Sequence, residues 1–314
     1  MRTAYLVFNP HAGRFPSRIL TERAAAVLSQ HGWQIRLEQT TGGLEITRLA
    51  RQAVTEQAAA LFVAGGDGSV NLAVAGLLGS NTALGVLPAG TSNVWAQELG
   101  LPGLSYTRLM ALEESAAQLA NAPIQQVDVG FCDERPFLMW AGVGLDGFIV
   151  HRLEPRSRWE KHFAVVSYAA RAVRQVGFWS GMDLQAIADQ QQVSGRYLMA
   201  VVSNIHLYAG GMAEISPQAC LDDGVMDLWL FAGETVLETV QQAWDLFSGQ
   251  HLQSDRARCI PFKNLQLISD QPMYIQLDGE PAQGTTQVNI EVHPKVLKIL
   301  VPENAPRVLF AEEN

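Results

Sequence analysis

The chain has 314 residues, 48% of them hydrophobic and 17% charged, enough length and apolar content for roughly two globular domains of about 100 to 200 residues each. Its 22 Lys and Arg against 31 Asp and Glu leave a formal net charge of −9. That charge argues against nucleic acid, whose partners bind mainly by neutralising phosphates, and opposes an anionic lipid surface overall.

The chain opens directly on an apolar run, residues 4–8, that reads as a strand, with no leader ahead of it. Asn9-Pro10-His11-Ala12-Gly13 then turns, and Ser17 is an N-cap for a helix through Gln30 that stops at Gly32. Residues 33–39 alternate as a strand, Thr40-Thr41-Gly42-Gly43 turns, and residues 45–56 carry a helical pattern. The stretch 61–93 packs two more such passages into about thirty residues. Residues 61–64 read as a strand, Gly65-Gly66-Asp67-Gly68-Ser69 as a loop and 70–78 as a helix. Residues 84–87 then form a strand and Pro88-Ala89-Gly90-Thr91-Ser92 a turn, with a helix beginning at Asn93.

Four βα units in a hundred residues predict an open parallel α/β domain, residues 1–122, with helices on both faces and ligands at the carboxyl ends of its strands. Right-handed crossovers bring NPHAG, TTGG, GGDGS and PAGTS to that one edge. Glycines let a backbone approach an anion closely, and free N–H groups at a helix start favour negative charge, so the pattern suits a nucleotide. Neither of the last two loops is a Walker A loop, since no Lys follows. Alone, GGDG also reads as a plain strand-to-helix turn, and a lone loop histidine such as His11 is more often solvated than catalytic.

A helix is expected over 106–119, ended by Asn121-Ala122-Pro123. Short alternating runs follow at 126–131, 137–141, 197–203, 225–231, 264–268, 273–277, 287–292 and 296–301, with helices near 159–175 and 236–247. They predict an all-β second domain, an antiparallel sandwich over 123–302, and a tail, 303–314, packing back on the first domain. The three cysteines, Cys132, Cys220 and Cys259, form neither a metal-type pair nor a disulfide framework, and no apolar run reaches the ~18 residues of a membrane span. A cytoplasmic setting is expected, peripheral at most to the inner face of a membrane.

NP-x-x-G at Asn9 to Gly13, GGDGS-x-N at Gly65 to Asn71, P-x-GT-x-N at Pro88 to Asn93 and LDGE at Leu277 to Glu280 stand in the order and spacing of the diacylglycerol kinase catalytic family. The chain resembles that family's soluble bacterial lipid kinases over nearly its whole length. The resemblance implies ATP- and Mg²⁺-dependent transfer of a phosphoryl group to a lipid hydroxyl. It also implies a nucleotide domain similar to those of phosphofructokinases and NAD kinases, a β-rich second domain and an active site in the cleft between them. Carried over by position, Asn9, Pro10, His11, Ala12, Gly13, Thr40, Gly65, Gly66, Asp67, Gly68, Ser69, Val70, Asn71, Leu72, Gly90, Thr91 and Asn93 line the ATP site.

Asp67 helps hold the catalytic magnesium through water, so its removal is expected to weaken ATP use and spare the fold. Asp278 stands where the family has its general base, with Glu280 as its partner. A structural magnesium site is implied at the Cys220 carbonyl, the Asp223 carboxylate and the Val225 carbonyl, oxygen donors that suit a hard cation. Read from the residues alone, Asp222-Asp223-Gly224 is a solvated turn and Asp278-Gly279 a hairpin turn.

The chain departs from the family at Leu72 and Val94, where many relatives carry an acid, and the basic residue that follows the first loop in some relatives is Arg14 or Arg18. Arg156, Arg158, Trp159 and Lys161 read as a membrane-approach segment or as a solvated face, and Phe178-Trp179 as an apolar wedge or as core. The expected partners are a lipid substrate and a membrane surface, with a homodimer left open. Two alternatives remain. One is a non-catalytic nucleotide-binding regulator of the same fold; the other is a kinase for a soluble acceptor, which gives no reason for LDGE in a β domain.

Overall fold

The computed structural model describes residues 2–10, 17–153, 179 and 181–311. His11, Ala12, Gly13 and Arg14 of the first loop, the expected helix near 159–175, Arg156, Arg158, Trp159, Lys161 and Phe178 lie outside the described residues. The chain divides into two compact units. The first comprises residues 1–127 and 295–309, the second 128–294 and 310–314.

The first unit runs β1 (Arg2–Phe8), α1 (Ser17–Gln30), β2 (Trp33–Gln39), α2 (Gly43–Thr55), β3 (Ala60–Gly65), α3 (Asp67–Leu77), β4 (Ala83–Pro88), α4 (Val94–Glu98) and α5 (Ala111–Ala120). Its strands pair in parallel in the order β2, β1, β3, β4. Every residue of β3 and β4 is buried, as a parallel sheet covered on both faces requires. The helix expected from residue 106 starts at Ala111, because the Ser105 and Arg108 backbones bond each other in a tight turn. Ser17 is the first helical residue of α1 rather than the residue before it.

The second unit contains β5 (Ile124–Cys132, from Asp128 onward), β6 (Arg135–Phe137), β7 (Trp140–Gly144), α6 (Leu145–Leu153), β8 (Met182–Ala188), β9 (Gln191–Ser203), the short pair β10 (Leu207–Tyr208) and β11 (Ala213–Glu214), and β12 (Met226–Ala232). It continues with α7 (Val236–Phe247), β13 (Ala257–Phe262), β14 (Asn264–Ser269), β15 (Ile275–Leu277), β16 (Glu280–Ala282) and the first part of β17 (Gln287–Leu300).

Its pairings are antiparallel, and β9 is the strand on which they converge. Its first half lies against β8 and its second half between β7 and β12. Burial alternates along β8 and β14, with Leu184, Ala186, Leu265 and Leu267 in the core. That alternation marks half-buried strands with one face in the core.

Two expected strands, 287–292 and 296–301, are one strand, β17, uninterrupted at Pro294. From Lys295 it belongs to the first unit, where Ile299 pairs in parallel with Leu84. Residues 295–302, expected in the β domain, are therefore part of the α/β unit, as are residues 303–309 of the tail, while Phe310 and Ala311 belong to the second. The strands 182–188 and 257–262 escape a pattern reading, the first for its Ala, Leu, Gln and Met content and the second for Pro261.

Candidate active site

In the first unit the glycine loops meet backbone to backbone at the carboxyl ends of β3 and β4. A Cβ on Gly90 would lie 2.4 Å from Gly66 Cα and 2.9 Å from Gly66 N, so only glycine allows this approach. Asn93 locks the second loop. Its Oδ1 accepts from Gly90 N–H at 2.8 Å and its Nδ2 donates to the Gly90 carbonyl at 3.1 Å, while its own backbone is left-handed (φ 54°).

The helix expected from Val70 begins at Asp67, with Gly66 as extended N-cap, so Asp67, Gly68 and Ser69 form the first turn of α3. Thr40 is buried and bonded through both N–H and hydroxyl to the Phe8 carbonyl, which ties the second loop to the end of β1, beside Asn9 and Pro10. Gly43, the first residue of α2, leaves space taken by Leu72; a Cβ there would meet Leu72 Cδ1 at 2.9 Å. Thr91 is exposed at the rim. Arg18 is exposed and paired with Glu22 at 2.9 Å.

Asp67 joins the two loops. Its Oδ1 accepts from Trp95 N–H at 3.1 Å, and the Val94 and Asn93 amides also face it. Burial pushes this carboxyl above the ordinary range, against the pull of those amides. Asp67 thus has a structural partner in α4 that the sequence did not show.

The unit meets the requirements of a nucleotide polyphosphate. Gly65, Gly66 and Gly90 form a cradle that side chains would fill, two helices start at it, and Asn71 Oδ1 is buried with no hydrogen-bond partner among the described residues. With its carboxylate held by amides, Asp67 suits a hydrated magnesium ion through water better than direct ligation.

In the second unit, β15 and β16 form a hairpin in which Leu277 pairs with Glu280, and Asp278 (φ 49°) and Gly279 (φ 84°) make a two-residue turn with both φ positive. The hairpin reading of this dipeptide holds. Unlike most turn aspartates, Asp278 is buried. Its Oδ2 accepts from Leu138 N–H at 2.8 Å, and its Oδ1 from Met139 and Trp140 N–H at 2.9 and 3.0 Å. The strand expected over 137–141 is interrupted for this reason, since β6 ends at Phe137 and β7 resumes at Trp140 while the amides between turn to the carboxylate. Glu280 is exposed.

Gln276 and Asp146 support the turn, and sequence reading missed both. Gly279 N–H donates to Gln276 Oε1 at 2.7 Å, and Gln276 Nε2 donates to Asp146 Oδ2 at 2.7 Å. Tyr208 also bonds Asp146, whose carboxyl burial pushes up. Gly142 gives that carboxylate room, since a Cβ there would lie 1.6 Å from Asp146 Oδ2. The available signal was repetition: Leu145-Asp146-Gly147 has the letters of Leu277-Asp278-Gly279.

At the other acidic turn, Asp223 Oδ1 accepts from Val225 N–H at 3.0 Å, Asp128 Oδ2 from Gly224 N–H at 2.6 Å, and Asp222 Oδ1 from Ala311 N–H at 2.8 Å. Burial first, and then the like charges of Asp227 and Asp222, push the Asp223 carboxyl up. A divalent cation bound there would relieve the like charges. Among the described residues no three His, Cys, Asp or Glu side chains are grouped to hold a metal.

Residues 3–132 match the diacylglycerol kinase catalytic domain, and residues 141–301 match the YegS C-terminal NAD kinase β-sandwich-like domain. The chain is 24% identical to the diacylglycerol kinase of Bacillus subtilis, over 89% of this chain and 90% of that one. It is 27% identical to a "Probable lipid kinase YegS-like" of Chromohalobacter salexigens, over 88% and 86%. A crystal structure of a diacylglycerol kinase from Bacillus anthracis shares the fold with a TM-score of 0.73 at 18% identity, over 97% of this chain and 98% of that one. With the two domain models matching on either side of residue 140 and the glycine loops and LDGE turn built as described, the chain belongs to the diacylglycerol kinase catalytic-domain family and is an enzyme of the kinase class.

Proposed function

We propose that this kinase uses ATP and Mg²⁺ to phosphorylate a lipid hydroxyl, that of diacylglycerol or a related lipid. The meeting of the GGDGS and PAGTS loops at Gly66 and Gly90 carries the ATP half of the reading. The relatives' names supply the lipid.

Phosphoryl transfer asks a protein mainly for positioning and charge neutralisation, because negative charge spreads over the equatorial oxygens in the transition state. The N–H groups at the starts of α3 and α4 face that charge, with Asn9, Pro10, Thr40, Gly68, Ser69, Val70, Asn71, Leu72 and Thr91 around them. Asp67 would hold Mg²⁺ through water, and the ion would supply neutralisation of phosphate charge; Cys220, Asp223 and Val225 would hold a second ion beside their turn. Asp278 is the base that takes the proton of the lipid hydroxyl. Three amides fix its direction, and the Asp146–Gln276 chain fixes the turn that carries it. Glu280, two residues on, tunes it.

Among the described residues no helix is long and apolar enough to cross a membrane. The reading takes the acceptor to be reached by peripheral contact from the cytoplasmic side. Transfer of the labelled γ-phosphate of ATP is measured against diacylglycerol, monoacylglycerol, phosphatidylglycerol, ceramide and sphingoid bases. The expected result is magnesium-dependent labelling of at least one. Tight ATP binding with no labelling of any lipid overturns the reading in favour of a nucleotide-binding regulator, which the apolar residues Leu72 and Val94 would suit.

A further inference from the structure

Helix α7 is turned inside out. The face that meets its own unit carries Thr239, Gln242 and Leu246, and Gln242 Nε2 donates to the carbonyls of Ala232 (3.0 Å) and Arg256 (3.4 Å). The outward face carries Val236, Leu237, Val240, Trp244 and Phe247, with Leu237 77% and Trp244 69% exposed. At 100° per residue these five side chains fall within an arc of about 100°, the stripe that a surface helix ordinarily presents to a core. Leu252, half exposed in the next turn, adds to it. The helix is anchored rather than frayed. Thr235 and Glu238 form a reciprocal capping box, and Glu238 pairs with Arg256 at 3.4 Å.

We propose that this outward face of α7 is a docking surface for a lipid bilayer of zwitterionic or weakly charged headgroups. The choice of partner rests on the lipid-kinase reading, since an acceptor of that class resides in a bilayer. Three observations favour it. The stripe exposes on the order of 500 Å², the size of a functional surface patch and less than the roughly 800 Å² per partner of a stable protein interface, so a second copy of the chain is a poor fit. Trp244 sits within it, a side chain whose apolar rings and polar N–H suit the boundary between headgroups and acyl chains. The helix has two acids, Glu238 and Asp245, on its other side and no Lys or Arg, so attachment comes from apolar insertion rather than attraction to anionic lipid.

Phosphatidylcholine vesicles containing diacylglycerol test this by flotation. The wild-type chain should float with them, with less than a twofold change between low and high salt. The double variant Leu237→Gln/Trp244→Gln should float at least tenfold less, with an unchanged melting temperature and unchanged transfer to a short-chain, water-soluble diacylglycerol. Equal flotation of variant and wild type overturns the proposal. So does a wild-type chain that ignores vesicles but sediments as a dimer that the double variant disperses, because the stripe then belongs to a second copy. A chain that floats through α7 yet phosphorylates no lipid refutes the kinase reading and leaves the docking surface standing.

Discussion

In the first unit the groups that meet at the candidate site are backbone: Gly66 and Gly90 touch, Asn93 bonds Gly90, and Asp67 is consumed in tying one loop to the start of α4. In the second unit the candidate groups are carboxylates. Asp278 is oriented by three amides of an interrupted strand, and the Asp146–Gln276 chain holds its turn. A phosphate cradle needs many N–H groups close together, which side chains would obstruct, whereas a proton acceptor needs one oxygen in one direction. The two units therefore fail differently under mutation, the first by steric intrusion and the second by loss of a single group.

The largest effect is expected at Asp278, the proposed base. Asp278→Asn should lower transfer by about 10² to 10⁴-fold with nearly unchanged nucleotide affinity, and Glu280→Gln, at an exposed position, should lower it less and leave stability intact. Steady-state kinetics beside thermal melts check both. A larger loss in Glu280→Gln would make Glu280 the proton acceptor. Next is Gly90→Ala, whose methyl must part the two loops; overpacking of this kind costs about 1–3 kcal/mol, and nucleotide affinity should fall at least tenfold. Calorimetric titration with a non-hydrolysable ATP analogue measures it.

Asp67→Ala should cost roughly 1–3 kcal/mol, because it strands the α4 amides, and should weaken nucleotide binding too. Chemical denaturation separates the two effects. Asp223→Ala should abolish the rise in melting temperature that magnesium gives the wild-type chain, on the order of a few degrees.

The smallest effect concerns pH. Asp146 has a folded-state pKa raised above its unfolded value, so the folded chain holds the extra proton between the two. Its contribution to stability is full below the unfolded value and is lost as pH rises through the folded one. Asp146→Asn keeps an oxygen for Gln276 and removes that loss, so its melting temperature relative to wild type should be higher at pH 7.5 than at pH 4. Equal differences at the two pH values would refute the assignment.

Local pattern carried most of the elements. Residues 33–39 and 236–247 are a strand and a helix with the expected bounds, because alternation and a 3.6-residue period are properties of the segment itself. The glycine loops were legible for the same reason, since strand, glycines and helix follow one another within a few residues. What needed the tertiary structure was every pairing of distant residues. The amides of Leu138, Met139 and Trp140 leave their strand for a carboxylate nearly 140 residues away, residues 295–309 join the α/β unit, and Asp67 caps a helix that begins 27 residues later. The apolar side of α7 was visible as periodicity, yet only the fold decided that it faces outward, because Gln242 found partners inside and took the buried side, with Thr239 satisfied by the Thr235 carbonyl of its own helix start. Sequence determines which hydrogen-bonding and apolar groups exist and their local spacing; which of them meet is settled only when the whole chain closes.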